Sequence, residues 1–288
     1  MRRTTMLRKM LLEPGIIVML GAYDSLSAKL IEMAGFKLVG ITGAGVCASV
    51  LGMPDVGLAT MTEVLNQARN IVKATNLPVL ADCDNGYGNP INIIRTIKEF
   101  EDAGVAGLWI EDQVMPKRCG HFEGKKIIPR EEMIMKIKAA VETRKDPDLV
   151  IMARCDGRAE YGLNEAISRS KDYVEAGADM IFVEAPQSVE ELRQIAASID
   201  VPQMVNLVEG GKTPLVSVKE LEDIGFKIAS FSGSLQKVCI KSMQKFLISF
   251  AETGDIREFL DDMVSLDERS KILGLPEFYE LEKRFLSF

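Results

Sequence analysis

Pro78-Val79-Leu80-Ala81-Asp82-Cys83-Asp84 is a short apolar run that stops on two acids, and together with the residues up to Gln113 it decides the fold. The turn Asn85-Gly86-Tyr87-Gly88-Asn89 leads into a helical pattern over residues 91–103, closed by Gly104. A second apolar run, residues 107–110, then stops on Glu111-Asp112-Gln113. Strand, turn, helix and strand in about 30 residues is the crossover unit of a parallel sheet.

The same grammar extends in both directions. Upstream, the run 16–20 ends at Gly21-Ala22-Tyr23-Asp24, and 37–42 ends at Gly43-Ala44-Gly45. Downstream, 149–153 ends at Arg154-Cys155-Asp156, 180–183 at Glu184, 203–205 at Asn206 and 227–231 at Ser232-Gly233-Ser234. Helical patterns over 25–34, 61–75, 130–143, 163–176, 189–198 and 217–224 fill the gaps. Eight such units predict a (β/α)8 TIM-type barrel. A doubly wound open sheet is the alternative, but no Gly-rich phosphate fingerprint follows the first strand. Residues 1–288 therefore read as one barrel domain with a C-terminal helical extension over 238–288. Helices are expected at 238–252 and 255–273, then an apolar tail with Phe278, Tyr279, Leu281, Phe285, Leu286 and Phe288. That tail packs on its own barrel or on a neighbouring subunit; the residues leave both open.

Composition narrows the function. A net charge of −7 without a basic block opposes nucleic-acid binding. No apolar run reaches the roughly 18–20 residues that span a bilayer. The start, Met1-Arg2-Arg3-Thr4-Thr5, is not followed by an uninterrupted apolar stretch, so no secretory signal is read. Five cysteines without a CxxC pair point to free thiols in a reducing compartment, hence a cytoplasmic protein. One histidine and no paired cysteines leave no zinc ligand set.

Asp82, Asp84, Glu111, Arg154, Glu184 and Asn206 stand at the carboxyl ends of five successive expected strands. One acid at a strand end is ordinarily a helix cap. Six polar groups at five ends that share one barrel rim read as a site. Asp82 and Asp84, two apart on one strand, are expected to face the same side. With Glu111 they offer three hard oxygen ligands, which suits Mg2+ or Mn2+. The glycines at 86 and 88 are expected to let backbone approach a ligand closely. The long connection Pro116-Lys117-Arg118-Cys119-Gly120-His121 holds the only histidine, and its basic residues are expected to lower the Cys119 thiol pKa. The segment through Glu123-Gly124-Lys125-Lys126 reads as a mobile lid. The other four cysteines read as packing residues, with Cys83 and Cys155 pointing away from the rim chemistry.

At these residues the chain resembles the isocitrate lyase/phosphoenolpyruvate mutase superfamily. The ordered motifs are Leu51-Gly52-Met53-Pro54-Asp55, Asp82 to Gly88, Ile110-Glu111-Asp112-Gln113, Lys117-Arg118-Cys119-Gly120-His121, Met152-Ala153-Arg154, Val183-Glu184-Ala185 and Val205-Asn206. The Lys-Arg-Cys-Gly-His string resembles the lyase branch, whose members cleave methylisocitrate or 2,3-dimethylmalate. Lys237 stands where the methylisocitrate-cleaving members carry arginine, which favours a dicarboxylate. Gly40 stands where they carry tyrosine, so the initiating base is unassigned. The resemblance implies a Mg2+-dependent carbon–carbon lyase that cleaves a substituted 2-hydroxy acid to pyruvate and a second acid. It implies Asp82, Asp84 and Glu111 at the metal, and Cys119, Arg154, Lys117 and His121 in catalysis. It implies Thr42, Gly43, Ala44, Asp55, Gly120, Glu184 and Asn206 at the substrate. It further implies homotetramers that exchange a C-terminal helix. The rivals are an oxaloacetate hydrolase or decarboxylase, a phosphonate-forming mutase on the same barrel, and a non-catalytic metabolite-binding barrel.

Overall fold

The computed structural model describes residues 1–286 and divides into two compact units, Met1–Leu235 and a second from Gln236 onward. In the first, eight parallel strands close in sequence order: β1 Ile17–Ala22, β2 Leu38–Ile41, β3 Val79–Asp82, β4 Gly107–Glu111, β5 Val150–Cys155, β6 Met180–Val183, β7 Gln203–Asn206 and β8 Ile228–Phe231. The ring shuts where β1 pairs with β8, Ile17 against Ile228. This is the expected (β/α)8 barrel.

Alternation along each strand builds two cores. One set of alternate positions, such as Val39, Ile41, Val79, Ala81, Leu108, Ile110, Ile151 and Ala153, joins an outer layer with the helices. Intervening residues, among them Met19, Leu38, Leu80, Trp109, Met152, Phe182, Met204 and Ile228, fill the barrel itself. Continuing that two-residue period past the apolar layers brings Asp82, Glu111, Arg154, Asp156 and Glu184 inward at the carboxyl rim. Cys83 and Cys155 fall in the outer layer, as expected.

The helices around the barrel are α1 Arg3–Leu12, α2 Ser25–Met33, α3 Gly43–Leu51, α4 Met61–Ala74, α5 Pro90–Asp102, α6 Arg130–Thr143, α7 Arg158–Tyr161, α8 Leu163–Glu175, α9 Val189–Ser198 and α10 Val218–Ile224. Their starts are chemically marked. Capping boxes open α2 (Asp24, Ser27), α4 (Thr60, Glu63), α5 (Asn89, Asn92) and α10 (Ser217, Glu220). Three helices depart from the sequence reading, the short α7 among them. Helix α1 has no counterpart there; its Leu7 and Leu11 join the inner core, while Arg8 bonds the carbonyls of Pro147, Asp148 and Leu149 ahead of β5. Gly43-Ala44-Gly45, expected as a turn, instead begins α3, with Thr42 as its cap accepting from Gly45 N. A run of small residues hides this helix in the sequence.

The second unit also corrects an expectation. Its first helix, α11, spans Ser234–Thr253, but no single helix covers 255–273. A 3-10 helix, Arg257–Asp262, is followed by extended backbone at Met263. Ser265 then caps a new helix, α12 Leu266–Ile272, by accepting from Glu268 N. The tail forms α13, Leu275–Phe285. Phe246 packs against Phe250 and edge-on against Phe259 within this unit. Val238, Met243, Leu247 and Ile248 on α11, and Phe278, Leu281 and Phe285 on α13, are exposed. Phe288 lies outside the described residues.

Candidate active site

Strand β3 stops at Asp82, and Asp84 lies beyond it in the left-handed region, φ 46°. The two acids meet through this turn rather than by strand alternation, a correction to the sequence reading. Asp84 N donates to Asp82 Oδ1 at 3.1 Å, and Gly43 N, at the start of α3, donates to Asp82 Oδ2 at 3.2 Å. A Cβ on Gly43 would stand 2.8 Å from that oxygen, so only glycine lets the helix start this close. Glu111 N donates to Asp84 O at 2.8 Å, tying the end of β4 to the same turn. Lys136 Nζ, from α6, holds Asn85 O at 3.0 Å. Gly86 and Gly88 do not open space for a ligand: a Cβ there would strike Ile93 and Asn92 of α5. Their positive φ serves the turn.

The electrostatics follow from burial. Burial and the neighbouring Asp84 push the Asp82 carboxyl up to about 6. Burial holds Glu111 well above the carboxylate range, against the pull of Arg154 and Lys117. Both Glu111 oxygens are buried with no hydrogen-bond donor, and Arg154 Nη1 stands 3.4 Å from one of them. Six acids at the mouth (Asp55, Asp82, Asp84, Glu111, Asp156, Glu184) face three fixed cations (Lys117, Lys125, Arg154). Such an excess of hard, under-satisfied oxygens fits a divalent cation. Among the described residues, no three His, Cys, Asp or Glu side chains converge into a direct ligand cluster.

Arg154 is clasped by Asp156: Nε to Oδ2 at 2.8 Å and Nη2 to Oδ1 at 3.0 Å. It lies over the Phe182 ring, with Nη2 3.5 Å from Glu184 Oε2. Asp156 itself is driven down to about 2, because Arg154 and Lys125 overcome the cost of its burial. Its N–H donates to Asp112 Oδ1, and Asp112 Oδ2 accepts from Tyr173 Oη, both at 2.8 Å. Asp156, Asp112 and Lys125 are missed by the sequence reading. Arg154 and Asp156 share the two-residue spacing that singles out Asp82 and Asp84, and that parity is the available signal.

The connection after β4 folds down over this cluster. An antiparallel bridge between Gln113 and Ile127, with Val114 N donating to Lys126 O at 2.7 Å, closes its neck. Lys117 is buried; its Nζ lies 2.6 Å from Asp55 Oδ1 and 2.7 Å from Asp84 Oδ1. Burial lowers its affinity for a proton, but Asp84, Glu111, Asp55 and Asp82 outweigh that and hold the ammonium well above its usual range. Cys119 N donates to Asp55 O at 3.1 Å. Its thiol is pushed up, not down: burial dominates, and the N–H of His121 only partly offsets it. The expected thiolate is thus corrected to a neutral thiol. Gly120 is pressed against the site; a Cβ would lie 2.3 Å from Glu184 Cγ and 2.6 Å from Arg154 Nη2. His121 Nδ1 accepts from Lys212 N at 3.0 Å, which leaves its other nitrogen, 3.1 Å from Glu184 Oε1, to carry the proton. Glu184 stays below the usual carboxylate range, since Arg154 and His121 overcome its burial. The segment read as mobile is anchored by Lys125, whose Nζ is buried on Asp156 and Gly120 O. Asn206 Oδ1, at the end of β7, and Thr213 Oγ1 are buried without a hydrogen-bond partner. Thr42 and Gly43 are buried, and Ala44 is exposed.

The structure thus gathers the expected residues of strands β3 to β6 and of the 117–121 loop into one mouth. Its excess of acids over cations suits a divalent cation, with Arg154 the cationic side chain beside it. The profile of the phosphoenolpyruvate phosphomutase family matches residues 7–251. A 2,3-dimethylmalate lyase of Eubacterium barkeri is 43% identical over 285 residues, 99% of either chain. A solved 2,3-dimethylmalate lyase, described as a member of the phosphoenolpyruvate mutase/isocitrate lyase superfamily, superposes with a TM-score of 0.93 at 34% identity, over 99% of this chain and 95% of that one. A phosphonopyruvate hydrolase solved with oxalate and Mg2+ superposes with a TM-score of 0.91 at 27% identity over all of both chains. Residues 79–84, the 117–121 loop and the closed eight-stranded ring belong together in that company: the chain is a member of the phosphoenolpyruvate mutase/isocitrate lyase superfamily.

Proposed function

We propose that this protein is a Mg2+-dependent carbon–carbon lyase that cleaves a substituted 2-hydroxy dicarboxylate of the 2,3-dimethylmalate kind to pyruvate and a second carboxylic acid. The observation that carries it is the neutral, loop-borne Cys119 thiol beside a buried acidic cluster whose Glu111 oxygens accept no hydrogen bond. A phosphonate-forming mutase has no carbanion to protonate and no use for such an acid.

Asp82, Asp84 and Glu111 would hold the ion, directly or through water. When bound, it supplies positive charge beside the substrate's 2-oxygen. The start of α3 offers the Ala44 N–H, beside Thr42 and Gly43 whose own N–H groups are held by Ala22 O and Asp82 Oδ2, and the positive end of a helix to the adjacent carboxylate. Arg154, fixed by Asp156, presents its Nη1 edge to developing negative charge. As the hydroxyl proton passes to a carboxylate at the mouth, the C2–C3 bond breaks, C2 becomes the ketone of pyruvate, and the electron pair stays on C3. Cys119 Sγ–H then protonates that carbon, and the hydroxyl proton returns to the Cys119 sulfur after the thiol has donated, so none is gained or lost overall. A thiol that burial keeps neutral is suited to donating, and Gly120 lets its loop seat against Glu184 and Arg154. Lys117 clamps Asp84 to Asp55, so loop seating and the metal-facing acids are linked. His121, Glu184 and Asn206 position the second carboxylate region.

No helix is long and apolar enough to cross a membrane among the described residues. The exposed apolar residues of α11 and α13 support assembly into homo-oligomers, with tetramers and an exchanged C-terminal helix as the specific form; light scattering of chains truncated before Leu275 tests it. A cytoplasmic location is consistent with the free cysteines. The activity is tested by coupled detection of pyruvate from 2,3-dimethylmalate, methylisocitrate and oxaloacetate with Mg2+. Release of pyruvate from the first supports the reading. Turnover of oxaloacetate alone, to oxalate and acetate or to pyruvate and CO2, or of phosphoenolpyruvate alone, each followed by loss of the substrate, replaces it with a hydrolase, a decarboxylase or a mutase.

A further inference from the structure

The loop over the mouth carries a second buried lysine that the chemistry above does not use. Lys125 Nζ lies 3.0 Å from Asp156 Oδ1 and 2.5 Å from Gly120 O. Asp156 accepts from Arg154 through both oxygens, and Oδ1 is shared between Arg154 Nη2 and Lys125. One carboxylate therefore holds the loop with one side and the site arginine with the other. Behind it the anchor is rigid. Asp156 N is fixed by Asp112, and Asp112 by Tyr173 of α8, whose hydroxyl also accepts from Arg169 at 3.3 Å.

The variable partner is Lys125, because it alone arrives with the loop. A buried carboxylate that loses one of two cations binds the other differently, since desolvated charge must be compensated. Arg154 has two further acids within 3.5 Å, Glu111 and Glu184, to which its guanidinium can turn. We propose that Lys125 and Asp156 are positioning residues that make the productive aim of Arg154 conditional on seating of the 114–126 loop. Lys125 is the latch, Asp156 the receiver, and Arg154 the group that is aimed. The activity readout rests on the lyase reading; the loop readout does not.

The test is a double-mutant cycle on the full chain with Lys125→Met, Asp156→Asn and the pair, read by kcat/KM for pyruvate release and by trypsin cleavage after the exposed Arg118 and Lys126. Lys125→Met should speed cleavage by about tenfold or more and lower kcat/KM by a similar factor or more. Adding Lys125→Met to Asp156→Asn should cost less than about threefold further, because the lysine acts through the acid. Should Lys125→Met fail to fold, Lys125→Gln carries the same comparison. Additive losses, or wild-type cleavage rates in the lysine variant, overturn the proposal. A purely structural lysine would lower the thermal midpoint and leave the losses additive. If the wild-type chain turns over none of the acids, the lyase reading fails and the trypsin arm still decides the latch.

Discussion

Gly120→Ala is the sharpest perturbation that the site offers. The backbone at 120 does not adopt a positive φ, so alanine brings no conformational penalty and the whole effect is one methyl group. That methyl would meet Glu184 Cγ at 2.3 Å, Cδ at 2.4 Å and Arg154 Nη2 at 2.6 Å. Carbon atoms rest about 3.5–4.0 Å apart, so the overlap exceeds roughly 1 Å. Glu184 and Arg154 stand on barrel strands, buried and braced by Asp156, whereas the loop reaches the site through its neck bridge and side-chain contacts, those of Lys117 and Lys125 among them. The loop yields, carrying Lys117, Cys119 and His121 with it. Displacement of a proton donor by about 1 Å costs on the order of 10²-fold, close to 2.7 kcal/mol of transition-state stabilisation. The barrel core is untouched. Lost loop contacts of about 1–2 kcal/mol would lower the thermal midpoint by only a few degrees in a chain of this size. Pyruvate-release kinetics beside a thermal melt decide it. A Gly120→Ala enzyme with kcat/KM within about threefold of wild type would refute the view that the seated loop is the working state.

Three further outcomes rest on the same contacts. Cys119→Ser should abolish turnover while pyruvate binding, followed by calorimetry, persists; wild-type turnover removes the acid role. Asp82, raised by burial and by Asp84 from 3.8 to about 6, is more stable protonated in the fold, so it favours the fold fully at low pH and that contribution is lost as pH rises between these values. The thermal midpoint of metal-free protein should therefore fall over that window, and millimolar Mg2+ should recover the loss at pH 7; a midpoint insensitive to Mg2+ counts against the acidic cluster as its site. Tyr173→Phe removes the hydroxyl shared by Asp112 and Arg169, and should cost about 1–3 kcal/mol in chemical denaturation.

Much of this is legible in the residues, because barrel strands announce their ends. The period-two alternation that places Leu80 and Trp109 inside also carries Asp82 and Glu111 inward, and each run of apolar residues stops where its polar group begins. The remainder depends on contacts between segments remote in sequence. Asp156 looks like the tail of a strand until Lys125, 31 residues earlier, is seen against it. The Cys119 thiol is misread in the sequence for a related reason. Its basic neighbours in the chain are spent elsewhere: Lys117 on Asp55 and Asp84, and Arg118 on the carbonyl of Glu123. What reaches the sulfur is burial. Helix α3 is hidden by its own composition, since glycines that ordinarily punctuate a turn here permit a helix to begin against a carboxylate.

Helix α1 has a consequence for traffic. With Leu7 and Leu11 seated among the side chains that fill the tube, the end opposite the active centre is stoppered. Reactant and both fragments must then share a single doorway, the one roofed by residues 114–126. Departure becomes a queue: the fragment held nearer the exit leaves before the deeper one. Inhibition by the two products should consequently follow an ordered rather than a random pattern.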